Sequence, residues 1–245
     1  MKKYFNIPFE FDHQKLEQTI ISSSINSKGY CCFVDSNMLV ESFIDKREII
    51  HNVLNGSIVN SCDGSYIALL ASIVHKRKLR AYNGPEFFEK LIYSDAKQCI
   101  IGNTKTVFEK VKAKVESVNG KSDLIYISLP FLSVENFNYK EIANEINKQM
   151  PRYIWVSLGA PKQEIFMHKL LPLIDKGVML GVGAALNYFS GEIKDIPEWA
   201  TKNKLIWLFR VFTEPKKQIQ RVFKIVKYYP AIFLEERRSI RNQTN

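Results

Sequence analysis

Residues 155–191 read WVSLGAPKQEIFMHKLLPLIDKGVMLGVGAALNYFSG. An apolar run from Ile154 to Leu158 meets a turn at Gly159-Ala160-Pro161. A helical pattern follows, and then a second apolar run ending in Gly181-Val182-Gly183. That is strand, helix and strand within the length of one βαβ unit. Met167, Leu170, Leu171 and Ile174 recur at i, i+3, i+4 and i+7, which predicts a buried helical stripe. Pro161 suits a first helical position, where its missing N–H costs nothing. Lys162-Gln163-Glu164 then falls in the first turn, just past the C-terminal end of a buried strand. In open α/β sheets that edge is where ligands bind. A strand–Gly–Pro–helix junction is also an ordinary structural device, and Gly181/Gly183 alone is a weak signal.

Working outward, the same alternation fills the chain. Tyr4 to Phe9 reads as a strand and His13 to Ser23 as a helix. Gly29 to Val34 is a strand ending in Asp35-Ser36-Asn37, a natural cap for a helix over Met38 to Ile44. Asn37 is a poor mid-helix residue and a good ligand donor. Lys46 to Asn55 continues as helix, and Ser57 to Cys62 is a strand that delivers Asp63-Gly64. Asp-Gly is a frequent turn pair, yet a carboxylate at a strand C-terminal end is also where site carboxylates sit. A helix follows with Ile67, Leu70, Ile73 and Val74 apolar, ending in His75-Lys76-Arg77-Lys78. Asn83-Gly84-Pro85-Glu86 opens a helix from Phe87 to Tyr93. Strands at Cys99–Gly102 and Asp123–Pro130, with helices at Val107–Val118 and Tyr139–Gln149, complete the pattern. Repeated strand–helix alternation predicts an α/β fold, a mostly parallel sheet with helices on both faces.

At 245 residues the chain is long enough for one large α/β domain, or a domain with an appendage. The net charge of +10 points to an anionic partner. Glu192 to Asn245 holds 12 basic and 6 acidic residues, over half of that excess. Large apolar residues interleave with bases there: Trp199, Trp207, Phe209, Phe212, Phe223 and Tyr228 among Arg210, Lys217, Arg221 and Lys224. The pattern reads as helical, broken at Pro215 and Pro230, and fits either an amphipathic element at an anionic bilayer or a packed terminal hairpin. The domains expected are therefore 1–191, the α/β unit, and 192–245, a basic helical appendage. Cys31, Cys32, Cys62 and Cys99 form no metal-ligand spacing and lie in apolar runs, as core thiols of a cytoplasmic protein do. The N-terminus lacks the apolar region of a signal peptide, and no run is long enough to span a membrane. The charge comes with no nucleic-acid motif, so nucleic acid is not an expected partner.

Several segments in order resemble the WecG/TagA/CpsF family of bacterial glycosyltransferases, over roughly residues 30 to 223. Gly159-Ala160-Pro161-Lys162-Gln163-Glu164 is similar to the family's G-x-P-K-Q-E. Gly181-Val182-Gly183-Ala184-Ala185 through Phe189 and Gly191 is similar to its G-V-G-A-x-x-D-x-x-x-G. Asp63-Gly64, Asn37 and the run Trp199, Trp207, Arg210, Glu214, Pro215, Arg221 also match. Asp35 stands where the family usually has threonine and Asn187 where it has aspartate. Asp195-Ile196-Pro197 replaces Arg-Ala-Pro, and Arg80 lies one place from a family arginine.

The resemblance implies a Rossmann-like fold of the GT-E type, with 1–191 catalytic and 192–245 a helical C-terminal appendage for membrane association and active-site closure. It implies inverting transfer of a sugar, often of N-acetylmannosamine type, from a UDP-sugar to a polyprenol-diphosphate-linked saccharide. It implies further that no cofactor and no metal are required, that the enzyme sits on the inner face of the cell membrane, and that it can self-associate. Asp63 is the implied catalytic base. Asp35, Asn37, Gly64, Gly84, Gly159, Lys162, Gln163, Glu164, Gly181, Gly183 and Asn187 are implied to bind donor or acceptor. Trp207, Arg210, Lys217 and Arg221 are the expected phosphate or membrane contacts. The departures leave room for a nucleotide-sugar-binding protein without transfer activity, or for an epimerase.

Overall fold

The computed structural model describes residues 2–45, 48–118, 120, 123–193 and 215–244, with no side chains described for 215–218 and 243–244. Eight strands form one sheet: β1 (Lys3–Tyr4), β2 (Ile7–Glu10), β3 (Lys28–Val34), β4 (Val59–Cys62), β5 (Gln98–Gly102), β6 (Leu124–Ile127), β7 (Tyr153–Ser157) and β8 (Gly177–Gly181). Their order is β1-β2-β4-β3-β8-β7-β5-β6, and every pairing is parallel except β1 with β2. Ten helices are described: α1 (His13–Asn26), α2 (Ser36–Ile44), α3 (Ile49–Asn55), α4 (Ser65–His75), α5 (Gly84–Leu91), α6 (Lys105–Val118), α7 (Tyr139–Gln149), α8 (Lys162–Leu170), α9 (Ala185–Phe189) and α10 (Pro215–Thr244).

The central strands are apolar on both faces because both faces are covered. Along β3, Tyr30, Cys32 and Val34 enter one core, while Cys31 and Phe33 enter the other. On β7, Ile154 and Val156 alternate with Tyr153 and Trp155 in the same way. The first core packs under α2, α3, α4, α7, α8 and α10, and the second under α1, α5, α6 and α9. All four cysteines are buried free thiols, and burial pushes Cys31 and Cys62 up to about 12.

Several local expectations change. Tyr4 to Phe9 is a hairpin: Phe5 and Asn6 have φ of 54° and 59°, the two left-handed positions of a tight β-turn. Phenylalanine is unsuited to that region, but the Phe5 N–H donates to Glu236 Oε2 of α10 at 2.8 Å. The helix expected over Lys46 to Asn55 does not continue from α2. Glu48 is left-handed (φ 56°) and separates the two helices, while Lys46 and Arg47 lie outside the described residues. The strand ending at Pro130 stops at Ile127, and the helix begun at Lys162 tightens to a 3₁₀ turn over Leu171–Leu173, leaving buried Ile174 in extended backbone. Pro230 does not break the C-terminal helix. It lies on the exposed side with Val226, so the carbonyl it leaves unbonded faces water. Tyr229 and Ile232 on the other side pack on the core and hold both halves in line.

Candidate active site

Parallel strands deliver all their C-terminal ends to one edge, and the chain leaves adjacent β3 and β8 toward opposite faces, α2 on one and α9 on the other. A crevice outside the strand ends at such a switch is the expected ligand site of an open α/β sheet. Asp35, Asp63, Asn103, Ser157 and Gly183 all fall on this edge.

Asp35 caps α2, accepting the Met38 N–H on Oδ1 at 2.8 Å. Asn37 lies half-buried in the first turn of that helix. Asp63 follows β4, in register beside β3, and its N–H donates to the Val34 carbonyl at 2.9 Å. The segment before α5 runs along the end of β4: Tyr82 N–H donates to the Cys62 carbonyl at 2.9 Å, and Ser61 Oγ donates to the Tyr82 carbonyl at 2.6 Å. This brings the Gly84 N–H to Asp63 Oδ1 at 3.3 Å. Gly84 itself packs against Phe33 and Val182, so the ends of β3, β4 and β8 meet at the half-buried Asp63 carboxylate. Gly64 starts α4 beside it as the N-cap.

The Lys162-Gln163-Glu164 turn divides by depth. Lys162 is at the surface, its Nζ donating to the Leu132 carbonyl and lying 5.0 Å from the Phe137 ring centre. Gln163 and Glu164 are 4% and 1% exposed, beneath the crevice and not lining it. Gln163 Nε2 donates to Glu164 Oε1 at 2.9 Å and to the Gly181 carbonyl at 2.8 Å. A Cβ on Gly181 would come within 2.7 Å of Met167 Cε and 3.2 Å of Gln163 Nε2, and Gly183 is left-handed at φ 55°. The glycines are therefore the space that the Gln163 amide occupies. Gly159 is also left-handed (φ 75°) and has open space where a Cβ would be.

The structure adds residues that sequence reasoning passed over. Asn103, after β5, donates through Nδ2 to Asn187 Oδ1 at 2.6 Å and to Ser157 Oγ at 3.2 Å. Ser157 Oγ donates to the Gly183 carbonyl at 2.7 Å. The available signal was Gly102-Asn103 directly after an apolar run, since asparagine tolerates the left-handed region that Asn103 adopts. Tyr229 of α10 is the other: burial first, and then the neighbouring Cys62 and Asp35, push its hydroxyl up against the opposing effect of Ser36. Arg221 is half-buried on α10, and Lys217 lies in the first turn of that helix. Trp207, Arg210 and Asp195 lie outside the described residues.

Residues 3–242 match the Glycosyl transferase WecG/TagA/CpsF family. The chain belongs to that family. The match takes in the sheet and α10 together. A relative from Bacillus spizizenii (strain W23), named N-acetylglucosaminyldiphosphoundecaprenol N-acetyl-beta-D-mannosaminyltransferase, is 35% identical over 100 residues, 41% of this chain and 38% of the relative. A relative of the same name from Bacillus subtilis (strain 168) is 26% identical over 190 residues, 76% of this chain and 72% of the relative. The chain thus spans less than half of the first relative and nearly three quarters of the second.

Within this WecG/TagA/CpsF chain, the buried Glu164 has a measurable consequence. Burial is the main cause that pushes its carboxyl up to about 7, opposed by the Gln163 hydrogen bond and aided by the Asp35 charge. The folded state therefore holds the proton more tightly than the unfolded chain, whose carboxyl titrates near 4.5. The resulting stability is fully present below about pH 4.5 and is lost as pH rises through about 7. The whole effect amounts to about 3 kcal/mol. Glu164→Gln is expected to flatten this dependence and to exceed the parent by about that amount above pH 8. Denaturant unfolding of both proteins between pH 4 and 8.5 checks this, and parallel profiles would exclude Glu164 as their source.

Proposed function

We propose that the protein is an inverting glycosyltransferase that moves a sugar, of N-acetylmannosamine type or a related hexose, from a UDP-sugar to a polyprenol-diphosphate-linked saccharide. Its product would enter a bacterial surface polysaccharide, capsule or teichoic acid. The reading is carried by Asp63, a half-buried carboxylate held by the Gly84 N–H where β3, β4 and β8 end. The two Bacillus relatives support it, since their names specify N-acetylmannosamine transfer to a lipid-diphosphate-linked N-acetylglucosamine.

A sugar hydroxyl is a poor nucleophile, so a base must take its proton as the new bond forms. Asp63 removes that proton, the hydroxyl oxygen attacks the anomeric carbon, and the bond to the UDP oxygen breaks on the opposite face. The configuration inverts and UDP leaves with the bond's electron pair. Charge developing on UDP calls for fixed donors. Arg210, Lys217 and Arg221 of the C-terminal segment are assigned this role, without a required metal ion. Backbone N–H groups at the start of α8 add to it.

The lipid-linked acceptor places the work at a membrane. No helix among the described residues is long and apolar enough to cross one, and the reading is of peripheral association on the cytoplasmic face. α10 packs on α2 and α4 and exposes Ile219, Phe223, Val226 and Leu234. Lys224 and Tyr228 turn to Glu41 and Phe43 of α2, so at 100° per residue this apolar stripe lies on the flank away from α2. Neighbouring α4 exposes Tyr66, Leu69 and Ile73. Lys76, Arg77, Lys78, Lys227, Arg237 and Arg238 are exposed on the same two helices or just beyond them. Apolar side chains flanked by bases fit an anionic bilayer surface.

Thermal unfolding with UDP, GDP, CMP, ADP and UDP-sugars, with and without anionic vesicles, tests the reading. Stabilisation by uridine ligands alone is expected, about 2.7 kcal/mol at a hundred times the dissociation constant. No shift with any nucleotide, in either condition, would end the glycosyl-transfer reading.

A further inference from the structure

The ends of β5, β7 and β8 carry a hydrogen-bond relay whose direction is set by the backbone. The Thr104 N–H can only donate, and it donates to Asn103 Oδ1 at 2.9 Å. That orients the Asn103 amide, so its Nδ2 donates to Ser157 Oγ and, at 2.6 Å, to Asn187 Oδ1. At the far end the Gly183 carbonyl can only accept, and it accepts from Ser157 Oγ. Asn187 has spent its oxygen on Asn103. Its remaining group, Nδ2, has no hydrogen-bond partner among the described residues and belongs to a half-buried side chain on the ligand edge.

The backbone beneath is held in place. Gly102 and Asn103 are consecutively left-handed, with φ of 80° and 65°. A Cβ on Gly102 would come within 2.7 Å of the Ser157 carbonyl oxygen. Such conformations persist where the surroundings over-determine them, and they concentrate at functional sites. A carboxamide nitrogen donates and cannot accept, so what it faces must offer a lone pair.

We propose that Asn187 determines specificity by donating a hydrogen bond to an acceptor-only oxygen of the ligand, and that Asn103 is the positioning residue that fixes this orientation. Such an oxygen is a carbonyl, a carboxylate or a phosphate oxygen. The inference rests on the nucleotide-sugar reading of the crevice. An aspartate at 187 would still accept from Asn103 but would present only lone pairs outward, favouring a hydroxyl and opposing an acceptor. Asn103→Asp should do the same without touching residue 187. Its carboxylate accepts from the Thr104 N–H and then requires a donor from Asn187, which turns the Asn187 amide and points its oxygen outward.

Calorimetric titration of the full chain and both variants tests this with UDP, UDP-glucose, UDP-N-acetylmannosamine and UDP-glucuronate. Each substitution is expected to weaken the ligand bearing the contacted oxygen roughly 10- to 100-fold, since a lost hydrogen bond becomes two opposed acceptors. Loss across all four ligands identifies an oxygen of the UDP they share, a uracil carbonyl or a phosphate oxygen. Loss confined to UDP-N-acetylmannosamine identifies the acetamido carbonyl, and loss confined to UDP-glucuronate identifies the carboxylate. A merely structural role would lower thermal stability and leave all four affinities at their parental values. Parental affinities in Asn187→Asp throughout would overturn the inference and leave the donor reading intact. A parent chain that binds no uridine ligand would remove the donor reading and this inference with it.

Discussion

Asp63→Asn is expected to lower the turnover of sugar transfer by about 10²–10⁴-fold, the range that a positioned general base contributes, while UDP binding stays close to parental. The substitution preserves shape, and the asparagine Oδ1 still accepts the Gly84 N–H that the carboxylate now accepts at 3.3 Å. The strand end and the α5 turn therefore keep their places while the side chain loses its basicity. An interaction made only as the proton moves lowers kcat and kcat/KM together. A donor affinity that falls with turnover would instead mark Asp63 as a binding group. Turnover near that of the parent would take Asp63 out of the mechanism.

Glu236→Ala is the second large effect expected, and it concerns how α10 is fastened. Glu236 Oε1 lies 2.7 Å from His75 Nε2, and Oε2 accepts the Phe5 N–H at 2.8 Å. Both side chains of the pair are under a tenth exposed. His75 also lies against the Tyr4 ring, with centroids 4.5 Å apart, so one carboxylate ties together α10, the end of α4 and the strained hairpin turn. Removing Glu236 leaves the buried His75 Nε2 and the Phe5 N–H without their acceptor, at about 1–3 kcal/mol for each unsatisfied group. Among the described residues, the apolar contacts around Tyr229 and Ile232 and the Lys224–Glu41 ion pair would then hold α10, so the loss should appear as local release of that helix. Native-state hydrogen exchange reads this directly: amide protection in α10 should fall by about 10²–10³-fold while β3 and β8 stay protected. Glu236→Gln, which keeps an acceptor for Phe5, should lose less. Unchanged α10 protection in Glu236→Ala would show that the helix is held by its other contacts with the core and α2.

The α/β fold was legible from residues 155–191 outward because strands buried on both faces must be apolar throughout, and the helices between them must carry one apolar stripe. β7, α8 and β8 stand where that reading put them, as do Asp35 as a cap and Asp63 at a strand end. The local departures have local causes. At Phe5 and Glu48 tertiary contacts or chain reversal override residue preference, and at Pro230 solvent satisfies the carbonyl that proline leaves unbonded.

The site divides in the same way. Sequence order alone placed Asp35, Asp63, Gly159 and Gly183 on one edge, since parallel strands leave no other possibility. Depth was decided by packing: in Lys162-Gln163-Glu164, one residue reaches the surface while the next two are buried, the Gln163 amide against Gly181. Asn103, Ser157 and Asn187 are separated by 54 and 30 residues. Only the pairing of β5 with β7 and of β7 with β8 joins them, because hydrogen-bond direction depends on which atoms meet across strands and leaves no trace in the spacing of residues along the chain.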